Sequence, residues 1–159
     1  MNLSSLLGAV ILASLLIAGS VVDIQSRRLP DAVIVPLIVI GLGLQFLTGG
    51  IDQFGFGALG AVFGFTAFWA VTKLYRLTRG VDGLGLGDAK LLAAAGAWLG
   101  PMFLAPVVFV AAVLALLYVQ ALRMRGEMVS AQMVVPFGPF LSAGFFGFWC
   151  LNLAGRSWF

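Results

Sequence analysis

Two aspartates of this chain stand where a carboxylate has no obvious structural purpose. Asp23 follows a long apolar run, at the predicted C-terminal end of a helix whose dipole disfavours negative charge. Asp88 follows the alternating glycines of GLGLGDAKLL (83–92) and stands directly before another apolar run. If the fold brought them together, they could hydrolyse a peptide bond: an ionised carboxylate activates water, and its protonated partner donates to the scissile group.

The chain lacks the residues and motifs that other hydrolytic and cofactor-dependent chemistries need. The chain has no histidine, which excludes HExxH zinc proteases and Ser-His hydrolases. Its one cysteine, Cys150, provides no CxxC metal site, and we expect a small buried side chain there. The glycines complete neither GxxxxGK[ST] nor GxGxxG, because Asp88 occupies the last position of the second pattern. We therefore expect no metal, no cofactor and no nucleic-acid partner.

The composition is that of an integral membrane protein. Of the 159 residues, 62% are hydrophobic and 9% charged, with a mean hydropathy of +1.11, whereas soluble domains carry about 25% charged residues. We predict one membrane domain over residues 1–159. The first apolar run lacks a basic leader and is longer than the core of a signal peptide, so we predict a retained helix.

The apolar runs predict an all-α, polytopic membrane bundle of about six transmembrane helices. Gly100-Pro101 divides the long uncharged stretch between Lys90 and Arg123, because glycine often ends a helix and proline rarely continues one. The predicted spans are 3–22, 32–48, 54–72, 88–99, 102–122 and 137–154.

Lysine and arginine counts predict the orientation. With six spans, eight basic residues lie on one side and only Arg156 on the other; with five spans the ratio falls to seven against two. The positive-inside rule therefore favours six spans, with both termini outside. The cytoplasmic side then holds the loops 23–31 and 73–87, which places both Asp23 and Asp88 at the cytoplasmic rim.

The remaining charged residues have simpler interpretations. Asp31 follows a proline, and we predict that it is the N-cap of the second span. We expect Asp52 and Glu127 to be solvated, and Asp82 to stabilise a turn. Asp88 could likewise cap a helix that starts at Ala89, although a cap does not need three glycines. Lys90 either helps to hold the site or meets lipid phosphates, or it is an interfacial lysine that extends towards water.

Three segments resemble the bacterial prepilin peptidases, or type IV leader peptidases, which are membrane aspartyl proteases of the GxGD type. GLGDAKLLAAAGAWLG (85–100) resembles their GxGD segment, and DIQSRRLPD (23–31) their first catalytic aspartate with the LPD element that follows it. PFGPFLSAG (136–144) resembles their closing segment. A bare GxGD is weak evidence, but the three segments in this order are specific.

The resemblance implies a function and a site. It implies removal of the short basic leader from type IV prepilins or pseudopilins, cut near the cytoplasmic membrane face of a bacterial inner membrane. It also implies Asp23 and Asp88 as the catalytic pair, with Gly85 and Gly87 shaping the site. Many members carry CxxC pairs in an N-terminal extension associated with N-methylation; this chain has none, so we expect no methyltransferase activity. The acid and base roles remain open.

Other functions remain as alternatives. A presenilin-like intramembrane protease shares GxGD, but its PAL tripeptide is absent. A channel or transporter subunit would place carboxylates nearer the middle of the membrane. A scaffold of a secretion machine would use the aspartates only as helix caps and would tolerate Asp→Asn, because asparagine caps nearly as well. Asp82 and Glu127 are also candidates for contacts with a basic leader. The sequence does not predict the oligomeric state.

Overall fold

The computed structural model describes residues 3–26, 29–79, 85–126 and 135–156, and the secondary structure in these ranges is helical throughout. This confirms the predicted all-α class. The helices are α1 (Leu3–Ser26), α2 (Asp31–Arg79), α3 (Leu86–Leu99), α4 (Leu104–Met124) and α5 (Gly138–Arg156), with a short 3₁₀ turn at Pro101–Phe103 before α4.

Helix α2 is two helical arms that meet at a pair of glycines. Gly49 and Gly50 leave the helical conformation, and Gly50 has a φ of 65°, which glycine adopts without strain. The arms, 31–48 and 51–79, lie side by side: a Cβ atom added to Gly57 in the second arm would be 3.3 Å from side-chain atoms of Leu42 and Gln45 in the first. The predicted second and third spans therefore form a helical hairpin, with a shorter connection than the expected loop of residues 49–53.

The second arm also continues past the predicted end of its span. Residues 73–79, which form the first half of the predicted basic loop 73–87, are helical. This prediction was wrong because lysine and arginine are good helix formers, so charge ends an apolar run without ending the helix. Lys73 even stabilises the extension, since its ammonium lies 4.9 Å from the centre of the Trp69 ring one turn earlier.

Helix α3 is the most enclosed element, and glycines let it approach α2 closely. All residues from 91 to 100 are buried. A Cβ atom added to Gly64 would lie 2.6 Å from the carbonyl oxygen of Leu92, and one added to Gly96 would overlap the carbonyl of Gly60. Such contacts between backbones require small residues, as is common between membrane helices. We call Gly57, Gly60, Gly64 and Gly96 the glycine seam.

The predicted turn at Gly100-Pro101 is confirmed. Gly100 has a φ of 77° and donates its N–H to the carbonyl of Gly96 at 2.8 Å, which ends α3. Pro101 then opens the 3₁₀ turn that leads into α4.

Buried polar atoms and aromatic rings hold α3 against its neighbours. The Trp98 indole donates to the carbonyl of Leu37 at 2.8 Å, and Gln45 donates to the carbonyl of Trp98 at 3.0 Å. The Trp98 ring also meets Phe145 and Trp149 of α5 edge to face. These interactions join α3 to both α2 and α5.

Cys150 is exposed, so its predicted burial was wrong. The buried residues Leu141, Phe145 and Trp149 recur every fourth residue on one face of α5, and Cys150 lies one position beyond the last of them. An apolar run cannot distinguish a residue that faces the core from one that faces lipid, because both environments favour the same side chains.

Within the residues that the structure describes, three helical stretches are long and apolar enough to cross a membrane: Leu7–Ser26, Asp31–Thr78 and Pro101–Met124. Many large apolar side chains on the outside of the described bundle are exposed, among them Val10, Leu47 and Leu116. A surface of this kind is unusual for a protein in water and is typical of one that contacts lipid.

Candidate active site

Asp23 lies in the last turn of α1 and is only 7% exposed. Its carboxylate accepts a hydrogen bond from the backbone N–H of Gly138, the first residue of α5. The approach is so close that a Cβ atom at position 138 would lie 2.5 Å from Oδ2 of Asp23. The C-terminal end of α1 and the N-terminal end of α5 therefore meet at this carboxylate, and their dipoles act on it in opposite directions.

Asp88 lies in the first turn of α3. The helix begins at Leu86 with Gly85 as its N-cap, so Asp88 is the third helical residue and the alternative of a cap for a helix starting at Ala89 was wrong. Its N–H donates to the carbonyl of Gly85 at 3.1 Å, and the N–H of Gly85 donates back to its carboxylate. The second bond is the one that an acidic residue makes in a capping box.

The fold brings the two carboxylates into the same region. Asp23 and Asp88 are close enough for their charges to repel each other, although 64 positions of the sequence separate them. Asp23 is buried and Asp88 is partly buried, so little water is available to screen the repulsion. Close carboxylates in such surroundings share a proton.

The two predicted site-shaping glycines differ in their surroundings. Gly85 has an extended backbone, with φ −70° and ψ 142°, which any residue adopts. Gly87 approaches another segment closely: a Cβ atom there would lie 3.1 Å from Cβ and 3.3 Å from the backbone nitrogen of Leu29. The neighbour that needs the small residue at position 87 is therefore Leu29, within the chain itself.

Lys90 pairs with Asp31 at the start of α2. The first hydrogen bonds of α2 run to the carbonyl of Pro30, so Asp31 lies inside the helix and the predicted N-cap was placed one residue too late. Lys90 and Asp31 line an open groove of about 470 Å³ between the arms of α2 and α3, and the rest of its lining is apolar apart from Thr66. Neither Asp23 nor Asp88 lines this groove.

The remaining acidic residues add nothing to the site in the described ranges. Asp52 is exposed on the second arm of α2. Asp82 and Glu127, the two candidates for contacts with a leader, lie outside the described residues, as do Gly83 and the arginines at 27 and 28. Among the residues that the structure describes, no three His, Cys, Asp or Glu side chains are grouped so that they could hold a metal ion.

Sequence reasoning missed Gly138 and Leu29. In the sequence, Gly138 is one residue of the family-like segment PFGPFLSAG, and Leu29 is one residue of an LPD element. A glycine that lies between two nearby prolines, Pro136 and Pro139, is a weak signal for a close approach. No local signal marks Leu29, because its contact with Gly87 joins positions that lie far apart in the sequence.

Comparison with known proteins gives one consistent result. The type IV leader peptidase family matches residues 10–120. A prepilin leader peptidase/N-methyltransferase of Burkholderia pseudomallei is 41% identical over 133 residues, which are 84% of this chain and 42% of that protein. Proteins of the same name from Neisseria gonorrhoeae and Pseudomonas aeruginosa are 39% and 37% identical, over 86% and 80% of this chain and 46% and 43% of theirs.

The chain thus spans less than half the length of these curated relatives. No solved structure matches it significantly.

Proposed function

The chain belongs to the type IV leader peptidase family, and we propose that it is a membrane aspartic endopeptidase that removes the short basic leader from type IV prepilins or pseudopilins. The observation that carries the proposal is that Asp23 and Asp88, from two helices, lie near enough in one poorly solvated region for their charges to repel each other. Of the two activities in the relatives' names, this pair accounts for the peptidase.

The pair supplies both halves of an acid–base hydrolysis. The ionised carboxylate takes a proton from a water molecule, whose oxygen attacks the scissile carbonyl carbon, while the protonated carboxyl donates its proton to the carbonyl oxygen. The tetrahedral intermediate then collapses as the C–N bond breaks: the carboxyl that gained the water proton gives it to the leaving nitrogen, and the other carboxylate takes a hydroxyl proton from the intermediate. The carboxylates exchange protonation states in each turnover, which requires that neither is held in one state by a neighbouring cation.

We further propose six spans with both termini outside and the site at the cytoplasmic face of a bacterial inner membrane. A straight α2 would extend about 70 Å, more than twice the hydrocarbon thickness of about 30 Å, so its two arms are better treated as separate spans. Their side-by-side contacts support this division. The excess of lysine and arginine on one side supports the cytoplasmic orientation.

The test is cleavage of a type IV prepilin of Pseudomonas aeruginosa by the purified chain in lipid. We expect Asp23→Asn and Asp88→Asn each to lower the rate by at least about 100-fold, the effect of losing a general acid or base. Asp52→Asn, an exposed aspartate, is the matched control and should cleave normally. Thermal unfolding checks that every variant is folded.

Two outcomes would reject the proposal. If the wild type does not cleave, or if both variants cleave normally, the ion-path and scaffold alternatives become the better explanations. Mass spectrometry of the products distinguishes the presenilin-like alternative, since that protease would cut inside the apolar segment instead of at its border with the leader.

A further inference from the structure

Leu29 packs against glycines from three different helices. It lies between α1 and α2 and is 8% exposed. A Cβ atom added to Gly19 of α1 would lie 3.4 Å from its Cδ2 atom, and one added to Gly138 of α5 would lie 3.4 Å from its Cδ1 atom. A Cβ atom added to Gly87 of α3 would be closer still, 3.1 Å from the Cβ atom of Leu29. We call these three residues the glycine socket of Leu29.

Each residue of the glycine socket is connected to Asp23 or Asp88 by its position in the chain or by a hydrogen bond. Gly19 lies four residues before Asp23 and therefore on the same face of α1. Gly87 immediately precedes Asp88. The third glycine, at position 138, donates its N–H to the Asp23 carboxylate. Leu29 thus touches the backbone of every element that positions the pair.

We propose that Leu29 is a positioning residue that sets the separation of the Asp23 and Asp88 carboxylates. The inference rests on the proposed function for its catalytic meaning. Since the socket has no side chains of its own, the isobutyl group of Leu29 fills the space between the three helices. Interiors are close-packed, so a smaller group would leave a void and the helices would move into it. Reacting groups tolerate little displacement, and about 1 Å is enough to lower a rate about 100-fold.

A purely structural role for Leu29 predicts a different result, and Leu12 provides the matched control. Leu12 is fully buried on the same helix as Asp23, about 16 Å away along the axis. If Leu29 only fills the core, Leu29→Ala and Leu12→Ala should have the same kind of effect. If it positions the pair, only Leu29→Ala should change the chemical step.

The first experiment measures cleavage kinetics of the full chain on the same Pseudomonas aeruginosa prepilin. We expect Leu29→Ala to lower kcat by 10-fold to 100-fold, as an order of magnitude, with KM within about twofold of wild type. Leu29→Met, of similar volume, should recover most of kcat. Leu12→Ala should lower Tm by a similar amount and keep kcat within about twofold. Equal losses of kcat for the two alanine variants would overturn the proposal.

The second experiment needs no activity. Asp23→Cys and Asp88→Cys are combined in a Cys150→Ser background, and a short bifunctional thiol reagent reports how often the two positions meet. Adding Leu29→Ala should slow the cross-link severalfold, and adding Leu12→Ala should not.

The two readouts separate the two proposals. If the wild type cleaves no prepilin but the cross-link depends on Leu29, the proposed function fails and the positioning of the pair stands. If the wild type cleaves, and neither kcat nor the cross-link responds to Leu29→Ala, the positioning role is refuted and the proposed function stands.

Discussion

The hydrogen bond between α5 and Asp23 makes position 138 the most sensitive glycine of the candidate site. In Gly138→Ala the new Cβ atom would start 2.5 Å from Oδ2 and 3.0 Å from Cγ of Asp23. Ordinary contacts between such atoms are about 3.5 Å, so the carboxylate or the start of α5 must move by roughly 1 Å. The N–H of residue 138 is retained, and the change therefore tests distance alone.

The magnitude follows from that displacement. A misplacement of about 1 Å lowers catalysis about 100-fold, which corresponds to about 2.7 kcal/mol of transition-state stabilisation. Overpacking costs about 1–3 kcal/mol of stability. We therefore expect Gly138→Ala to lose about 100-fold in kcat and to show a lower Tm.

The assay is prepilin cleavage in lipid with Gly147→Ala as the control. Gly147 lies on the same helix, and apart from its chain neighbours and the adjacent backbone of that helix no heavy atom lies within 4 Å of the position its Cβ would take. The control should keep kcat and should be as stable as wild type or up to about 1 kcal/mol more stable, because alanine is the better helix former. If Gly138→Ala matched Gly147→Ala in kcat, the contact between α5 and Asp23 would have no part in catalysis.

Two further predictions concern stability. Gly96→Ala, whose Cβ would overlap the carbonyl of Gly60 in the glycine seam, should lower the free energy of unfolding by about 1–3 kcal/mol. The control Gly43→Ala, whose Cβ would have no neighbouring side chain or helix within 4 Å, should leave the free energy of unfolding unchanged. Equal Tm values for the two variants would contradict the close backbone contact at the glycine seam. Lys90 and Asp31 are 39% and 65% exposed, so a double-mutant cycle with Lys90→Gln and Asp31→Asn should give a coupling of about 0.2–1 kcal/mol. A coupling above about 2 kcal/mol would mean that the pair is shielded from water.

The helices could be predicted because their signals are local. Apolar runs gave the helical segments, and Gly100-Pro101 gave the turn between α3 and α4, since both depend on a few consecutive residues. The end of the second arm of α2 could not be predicted in this way, because Lys73 and Arg76 end the apolar run and still favour helix.

In the candidate site, too, local sequence signals identify some residues and miss others. Asp23 and Asp88 stand out as isolated carboxylates beside apolar runs, and their catalytic roles stay a prediction. Gly138 and Leu29 could not be recognised, because their importance depends on distances between α1, α3 and α5, whose arrangement no local pattern encodes. The expectation that a helix dipole disfavours negative charge at Asp23 was incomplete for the same reason, because it considered the end of α1 and omitted the start of α5.

The backbone N–H of Gly138 explains how the buried Asp23 carboxylate can be held in place and still take part in proton transfer. A lysine or arginine in that place would hold Asp23 ionised and would prevent the pair from exchanging a proton. The backbone N–H of Gly138 carries no net charge and does not titrate, so it can orient the carboxylate without fixing its protonation state. In this arrangement the carboxylate approaches residue 138 from the side that a Cβ atom would occupy, 2.5 Å from Oδ2, so only glycine fits there without a shift. The glycine at position 138 is therefore a consequence of the chemistry proposed for Asp23.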